Sequence, residues 1–220
     1  MTSAAVVGST GLVVSFSSSR DKISLQLRPN TPANVPFQGS HILSTLLSHP
    51  SIASVHALAR RQPASTDSKL HSLVSTDSDQ WPAQLSAVSP PPAIFFSALG
   101  TTRGAAGSLE KQRKIDYDLN LSLAKAAKAS GVKVYVLISS NGALASSRLP
   151  YLQMKGELED SVKALDFEHT VLLRPGLIVG DRQETRLGEA VARNIAKLAG
   201  ALGNALKDPW AQVYFQECPE

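Results

Sequence analysis

Apolar residues along this chain fall into short runs separated by polar stretches rich in glycine, serine and proline. Val6-Val7 runs into Gly8-Ser9-Thr10-Gly11-Leu12-Val13, the pattern of a buried strand feeding a glycine turn. From Gly39 onward, Ile42, Leu43, Leu46 and Leu47 recur at helical spacing. Strands are expected over Ile52–Leu58 and Leu70–Val74, and a short helix over Trp81–Leu85. Ile94-Phe95-Phe96 reads as a strand opening into Ser97-Ala98-Leu99-Gly100-Thr101-Thr102. A long helix is expected from about Ser108 to Ser130, with Gly131 as its C-terminal stop. Val132–Ile138 is almost wholly apolar, as a strand covered on both faces should be. Pro150 opens an amphipathic helix to about Leu165, Thr170–Leu173 is a strand, and Arg186–Leu206 reads as a last helix. Strands alternating with helices predict an α/β chain: a Rossmann-like, doubly wound parallel sheet in one domain, residues 1–212.

One interval breaks the pattern. Removing residues 14–38 joins the first run to Gly39 as a strand, a GxxGxxG turn and a helix. In that arrangement glycines let the backbone approach a pyrophosphate and the helix N-terminus faces its charge. The 25 intervening residues hold five Ser and three Pro and show no helical or strand period, so a disordered insertion in the first βα turn is expected. Such turns usually run about 2–6 residues. Val14-Ser15 is encodable by bases that open an intron and Phe37-Gln38 by bases that close one, which predicts a retained intron, with a real loop insertion as the alternative. Gln212-Val213 allows a second such junction, and residues 213–220 read as an aberrant tail.

Composition narrows the function classes. The formal charge is +4, of which +2 belongs to Arg20, Lys22, Arg28 and Asp21 inside the insert. The remaining basic residues are scattered without aromatic interleaving, so no nucleic-acid partner is expected. Cys218 is alone and the five histidines lack ligand spacing, which argues against a disulfide framework and against a metal site. No apolar run is long enough for a transmembrane segment. A cleaved presequence is not expected either, because it would take Val6 and Val7 out of the sheet. A cytoplasmic or peripherally attached protein is the expectation.

Candidate chemistry falls at the predicted strand ends, where a nucleotide-binding sheet uses it. The first group is the interrupted turn, Gly8, Gly11 and Gly39. The second is Arg60-Arg61, where an acidic residue would accept the ribose hydroxyls of NAD; guanidinium forks instead suit a 2′-phosphate and favour NADP(H). A pair of surface arginines is the alternative. The third is Ser139-Ser140 with Tyr151 and Lys155 on the following helix. Residues four apart share a helical face, so phenol and ammonium point the same way. A neighbouring ammonium favours phenolate, which suits Tyr151 to exchange a proton with a carbonyl or alcohol oxygen held by a serine. The fourth is Arg174-Pro175-Gly176, whose last two residues would bring backbone groups to a nicotinamide; a plain turn reads nearly as well.

GSTGLV, GSHIL, FFSALGTTR, QRKIDYDLNLSLAKAAKASGVKVYVLISS, PYLQMKGELE and LRPGLIVGDRQETR together resemble the atypical short-chain dehydrogenase/reductase group. More closely they are similar to the Tat-interacting protein family and its fungal mitochondrial relatives, over residues 1–13 and 39–212. The resemblance implies that Gly8, Ser9, Thr10, Gly11, Leu12, Val13 and Gly39 contact dinucleotide phosphates. It also implies that Arg60 and Arg61 face the adenosine phosphate and that Ala98, Leu99 and Gly100 border the adenine ribose. Tyr151 and Lys155 match the active-site pair, and Ser139 or Ser140 the serine. Asp116 stands where many relatives carry asparagine, which argues against a proton relay through that position. The fungal relatives are peripheral proteins of the mitochondrial outer membrane, so that location is implied as well.

Two functions are compatible with these residues: NADP(H)-dependent reduction of a small carbonyl compound, or a non-catalytic NADP(H)-binding regulator or scaffold. The glycine turn lacks the Lys-Ser/Thr of a P-loop, and kinase loops are absent. With residues 14–38 in place, the turn is expected to close poorly on a phosphate.

Overall fold

Six parallel strands form the centre of the computed structural model, which describes residues 2–8, 15–19, 22–26, 39–175 and 211–217. In chain order the elements are β1 (Thr2–Val7), β2 (Ser15–Ser19), β3 (Lys22–Gln26), α1 (Gly39–Ser48), β4 (Ile52–Ala59), β5 (Leu70–Val74) and α2 (Trp81–Ser86). Then come β6 (Ile94–Ser97), α3 (Arg103–Ala106), α4 (Leu109–Arg113), α5 (Asn120–Ala129), β7 (Val134–Ile138), α6 (Pro150–Lys163), β8 (His169–Pro175) and β9 (Ala211–Glu217). The sheet order is β5-β4-β1-β6-β7-β8-β9, parallel throughout except for β9 at the edge. From β1 the chain proceeds to β4 on one side and later crosses to β6 on the other. That reversal opens a crevice at the C-terminal ends of β1 and β6.

Alternation along the strands divides the core into two layers. Ala5, Val7, Phe95, Tyr135 and Leu137 face Leu123, Leu158 and Val162 of α5 and α6. Ala4, Val6, Val55, Phe96 and Val136 face Ile42, Leu43, Leu46 and Leu47 of α1. The predicted apolar face of α1 is therefore the buried one, and covering both faces accounts for the nearly continuous apolar runs in β1 and β7. The doubly wound parallel sheet read from the sequence is the fold observed.

Several elements differ from their sequence reading. The long helix is present, capped by the Ser108 hydroxyl, which accepts from the Lys111 N–H, and stopped by Gly131 at φ 88°. Between α4 and α5, however, Lys114–Leu119 form a wider π-helical turn. Inside the insert, which was expected to hold no regular element, β2 and β3 pair in an antiparallel ladder. Ile23 and Leu25 alternate with polar neighbours there, a period of two too short to stand out against the surrounding serines. The tail read as aberrant pairs antiparallel to β8, Val213 opposite Leu173 and Phe215 opposite Val171. Val213-Tyr214-Phe215 is rich in strand-forming types, and β8 would otherwise offer an open edge. The helix expected over 186–206 lies outside the described residues.

Candidate functional site

The sheet brings the predicted groups to one edge. Gly8 follows β1 at φ 85°, and a Cβ there would lie 2.4 Å from the Ala98 carbonyl carbon and 2.5 Å from the Leu99 nitrogen. Only glycine permits this crossing of the β1 and β6 ends, where the Ala98 N–H also donates to the Val7 carbonyl at 3.0 Å. Gly39 is the first residue of α1, and Ser9, Thr10, Gly11, Leu12 and Val13 lie outside the described residues. Arg60 and Arg61 follow β4, both exposed, with no ion pair to another described residue. The ends of β4, β1 and β6 are thus neighbours at the C-terminal edge of the sheet.

Ser139 and Ser140 follow β7 but differ in setting. Ser139 continues the side of Tyr135 and Leu137, toward α5 and α6; it is buried, and its Oγ has no hydrogen-bond partner among the described residues. Ser140 is half-buried and donates weakly to the Asn141 carbonyl, 3.4 Å away. Burying a hydroxyl without a partner costs roughly 1–3 kcal/mol.

On α6, Lys155 Nζ lies 5.9 Å from the centroid of the Tyr151 ring, as expected of residues one turn apart. Lys155 is buried, whereas Tyr151 keeps 40% of its surface exposed at the helix start. α6 lies close against the preceding loop because Gly156 has no side chain. A Cβ there would meet the Leu144 carbonyl carbon and the Ala145 nitrogen at 2.2 Å.

The polar face of the long helix was not read from the sequence. Gln112, Asp116 and Asn120 are all buried and together grip the segment that follows β6. Gln112 Nε2 donates to the Thr101 carbonyl (3.1 Å), and Asp116 Oδ2 accepts from the Thr101 N–H (2.8 Å). Asn120 Nδ2 donates to the Leu99 carbonyl (3.2 Å), while its Oδ1 accepts from the Ser97 hydroxyl. Asn120 also caps the Ile115 and Asp116 carbonyls of the wide turn, both at 3.2 Å. The signal available in the sequence was the spacing of three polar residues four apart on a face that is otherwise apolar. Asp116 Oδ1 in turn lies 3.2 Å from Lys155 Nζ, an ion pair with both side chains shielded from water. Burial pushes the Asp116 carboxyl above its ordinary value, opposed by the Lys155 ammonium and the Thr101 N–H.

Arg174 does not stand free in a turn before Pro175. Its Nε donates to Glu159 Oε1 at 2.9 Å and its Nη2 pairs with Oε2, so a bidentate ion pair joins β8 to α6. Pro175 is half-buried, and its carbonyl accepts from the Asn141 N–H at 2.9 Å, closing β8 against the loop after β7. Gly176 lies outside the described residues. No cluster of three potential metal ligands occurs among the described residues.

The fold defines a class. It resembles UDP-glucose 4-epimerase of Thermotoga maritima, solved with UDP-glucose, at TM-score 0.57 and 14% identity, over 83% of this chain and 58% of that one. It also resembles a short chain dehydrogenase family protein of Francisella tularensis at TM-score 0.55 and 13% identity, over 91% and 77% of the two chains. The Bordetella bronchiseptica enzyme WbmG, solved with NAD, matches at TM-score 0.56 and 13% identity, over 89% and 60%. The architecture is thus a Rossmann-like α/β fold shared with these proteins.

Sequence comparison is more specific. The HIM1 family model matches residues 92–203, and the chain belongs to that family. Its curated relatives include the protein fmp52-1, mitochondrial, of Aspergillus terreus, 54% identical over 177 residues (79% of this chain, 76% of that one). The protein FMP52, mitochondrial, of Coccidioides immitis is 42% identical over 222 residues, 96% of this chain and 80% of that one.

Proposed function

We propose that the chain binds NADP(H) in the crevice between β1 and β6 and reduces a small carbonyl compound there. The observation that carries this reading is the buried Lys155, on one face of α6 with Tyr151 and next to Gly100 after the β6 end, together with a buried Ser139 hydroxyl that has no hydrogen-bond partner among the described residues. These residues fit a nicotinamide dinucleotide, which when bound would supply the hydride. Ser139 donates a hydrogen bond to the carbonyl oxygen, and Tyr151 delivers the proton that oxygen takes up. Lys155 lies beside the phenol and presents a cation to it and to ribose hydroxyls. Arg60 and Arg61, exposed and with no ion pair to another described residue, suit an adenosine 2′-phosphate. Neighbours solved with NAD support the dinucleotide class, and the arginine pair supports the phosphorylated form.

The relatives named mitochondrial support a mitochondrial location, and no helix among the described residues is long and apolar enough to cross a membrane. Peripheral attachment at the outer membrane, in the manner of the Tat-interacting protein group's fungal members, is the placement we propose. Release of the protein from mitochondria by alkaline carbonate tests it.

A panel of small aldehydes and ketones with NADPH tests the activity. Turnover is expected in the chain with residue 13 joined to residue 39 and should fall there by about 10²- to 10⁴-fold in Tyr151→Phe, with NADPH affinity retained. Tight NADPH binding without turnover on any carbonyl would identify a non-catalytic, dinucleotide-binding regulator instead.

A further inference from the structure

The segment between Ser139 and Tyr151 carries apolar surface that the fold does not bury. Leu144 is 58% exposed and Leu149 62%, and with the exposed Tyr151 they fall within eight residues of chain. Scattered exposed leucines are ordinary on a protein surface, but these two are held in place. The Leu144 N–H donates to the Leu152 carbonyl at 3.1 Å, and a Cβ at Gly156 would come within 2.2 Å of the Leu144 backbone. Leu149 is the N-cap residue of α6, where its side chain makes no capping hydrogen bond. By contrast, the Thr102 and Ser108 hydroxyls cap α3 and α4. Serine, threonine, asparagine or aspartate at position 149 would accept from a free N–H of the first turn, which leucine cannot do. The chain thus forgoes a helix cap and keeps a large apolar side chain in water, two residues from Tyr151. A local rule broken without gain to the fold marks a functional position.

From these placements we infer that Leu144 and Leu149 form an apolar lip beside the Tyr151 phenol, and that the substrate is an aldehyde or ketone whose hydrocarbon chain lies along them. This names the substrate class of the proposed site and rests on that reading. From Ser139 to Gly156 the chain has no acidic residue, so the lip offers nothing to a cationic substrate. Hydrocarbon is its complement. Each methylene taken fully out of water raises affinity about fourfold, and one laid on an open surface about twofold. Both leucines are already anchored to α6 through their backbones, the Leu149 carbonyl accepting from the Gln153 N–H at 2.9 Å, so binding requires little ordering.

Calorimetric titration of butan-1-ol, hexan-1-ol and octan-1-ol into the full chain tests the lip without cofactor or turnover. Affinity should rise about tenfold or more from butan-1-ol to octan-1-ol. In the double variant Leu144→Ser, Leu149→Ser the rise should shrink below about twofold. The melting temperature of that variant should hold or increase, since serine caps α6. A flat series in the parent chain, or a rise that survives in the double variant, would overturn the inference. So would a flat series accompanied by loss of binding to phosphatidylcholine–phosphatidylinositol vesicles in the variant, which would assign the leucines to a lipid surface. Turnover separates this inference from the proposed function. With NADPH and residue 13 joined to residue 39, kcat/KM should climb about tenfold from butanal to octanal, and the climb should vanish in the double variant. Turnover with no such climb would contradict the lip. No turnover on any aldehyde or ketone would instead contradict the proposed function, with the alcohol series still judging the lip.

Discussion

A single methyl group has opposite consequences at two glycines near the site. At Gly156 a Cβ would collide with backbone atoms of Leu144 and Ala145, which have no flexible end to move aside. Gly156→Ala is expected to lose about 1–3 kcal/mol or more in denaturant melts and to push the start of α6 off its loop. At Gly104 nothing lies within 4 Å of an added Cβ, and the residue sits in α3. Gly104→Ala should therefore gain about 0.4–1 kcal/mol. At this scale the sequence showed residue types but not surroundings. Tyr151 and Lys155 were legible because four-residue spacing fixes a shared face. The different settings of Ser139 and Ser140 were not, since they depend on which side of β7 packs against α6. Arg174 was expected just past the strand and lies within β8; its partner Glu159 is 15 residues away in sequence and meets it only once α6 docks on β8.

Pairs of elements carry the next level of the account. α6 is bound to β8 by the Arg174–Glu159 fork, with Glu159 1% exposed. Glu159→Ala removes both acceptors of the fork and should cost about 3 kcal/mol, the low end for a buried pair because Arg174 retains 21% exposure. Urea unfolding measures it, and an unchanged midpoint would show that the fork contributes nothing. Between β4 and β5, His56 and His71 sit opposite each other with ring centroids 4.9 Å apart. Burial first, and then the His71 imidazole, hold His56 below its ordinary value of 6.5. On acidification the unfolded chain takes up a proton at this position before the folded chain does. The stability His56 contributes is thus fully present above that value and is lost as pH falls below it. His56→Gln should flatten the fall in melting temperature between about pH 7 and pH 5. Elements of the sheet were legible because their apolar runs are buried on both faces. The pairing of β2 with β3 and of β9 with β8 was not, because short ladders depend on partners rather than on local pattern.

Across the whole molecule, one sheet edge gathers groups drawn from Gly8 to Pro175, and the parallel order β4-β1-β6-β7-β8 is what assembles them. Every sequence-predicted site residue that the structure describes lies at the C-terminal end of a strand or on the helix beside it. In sequence, residues 14–38 separate Gly8 from Gly39, the two ends of the turn where we propose that a dinucleotide's phosphates are held. We propose that they are foreign to the phosphate turn, as their base-level ends suggest. The most direct measurement is calorimetric titration of NADPH and NADH into the full chain and into a chain with residue 13 joined to residue 39. The account predicts that the joined chain binds NADPH, more tightly than NADH, and that the full chain binds much more weakly. A well-folded joined chain that bound neither nucleotide would contradict it.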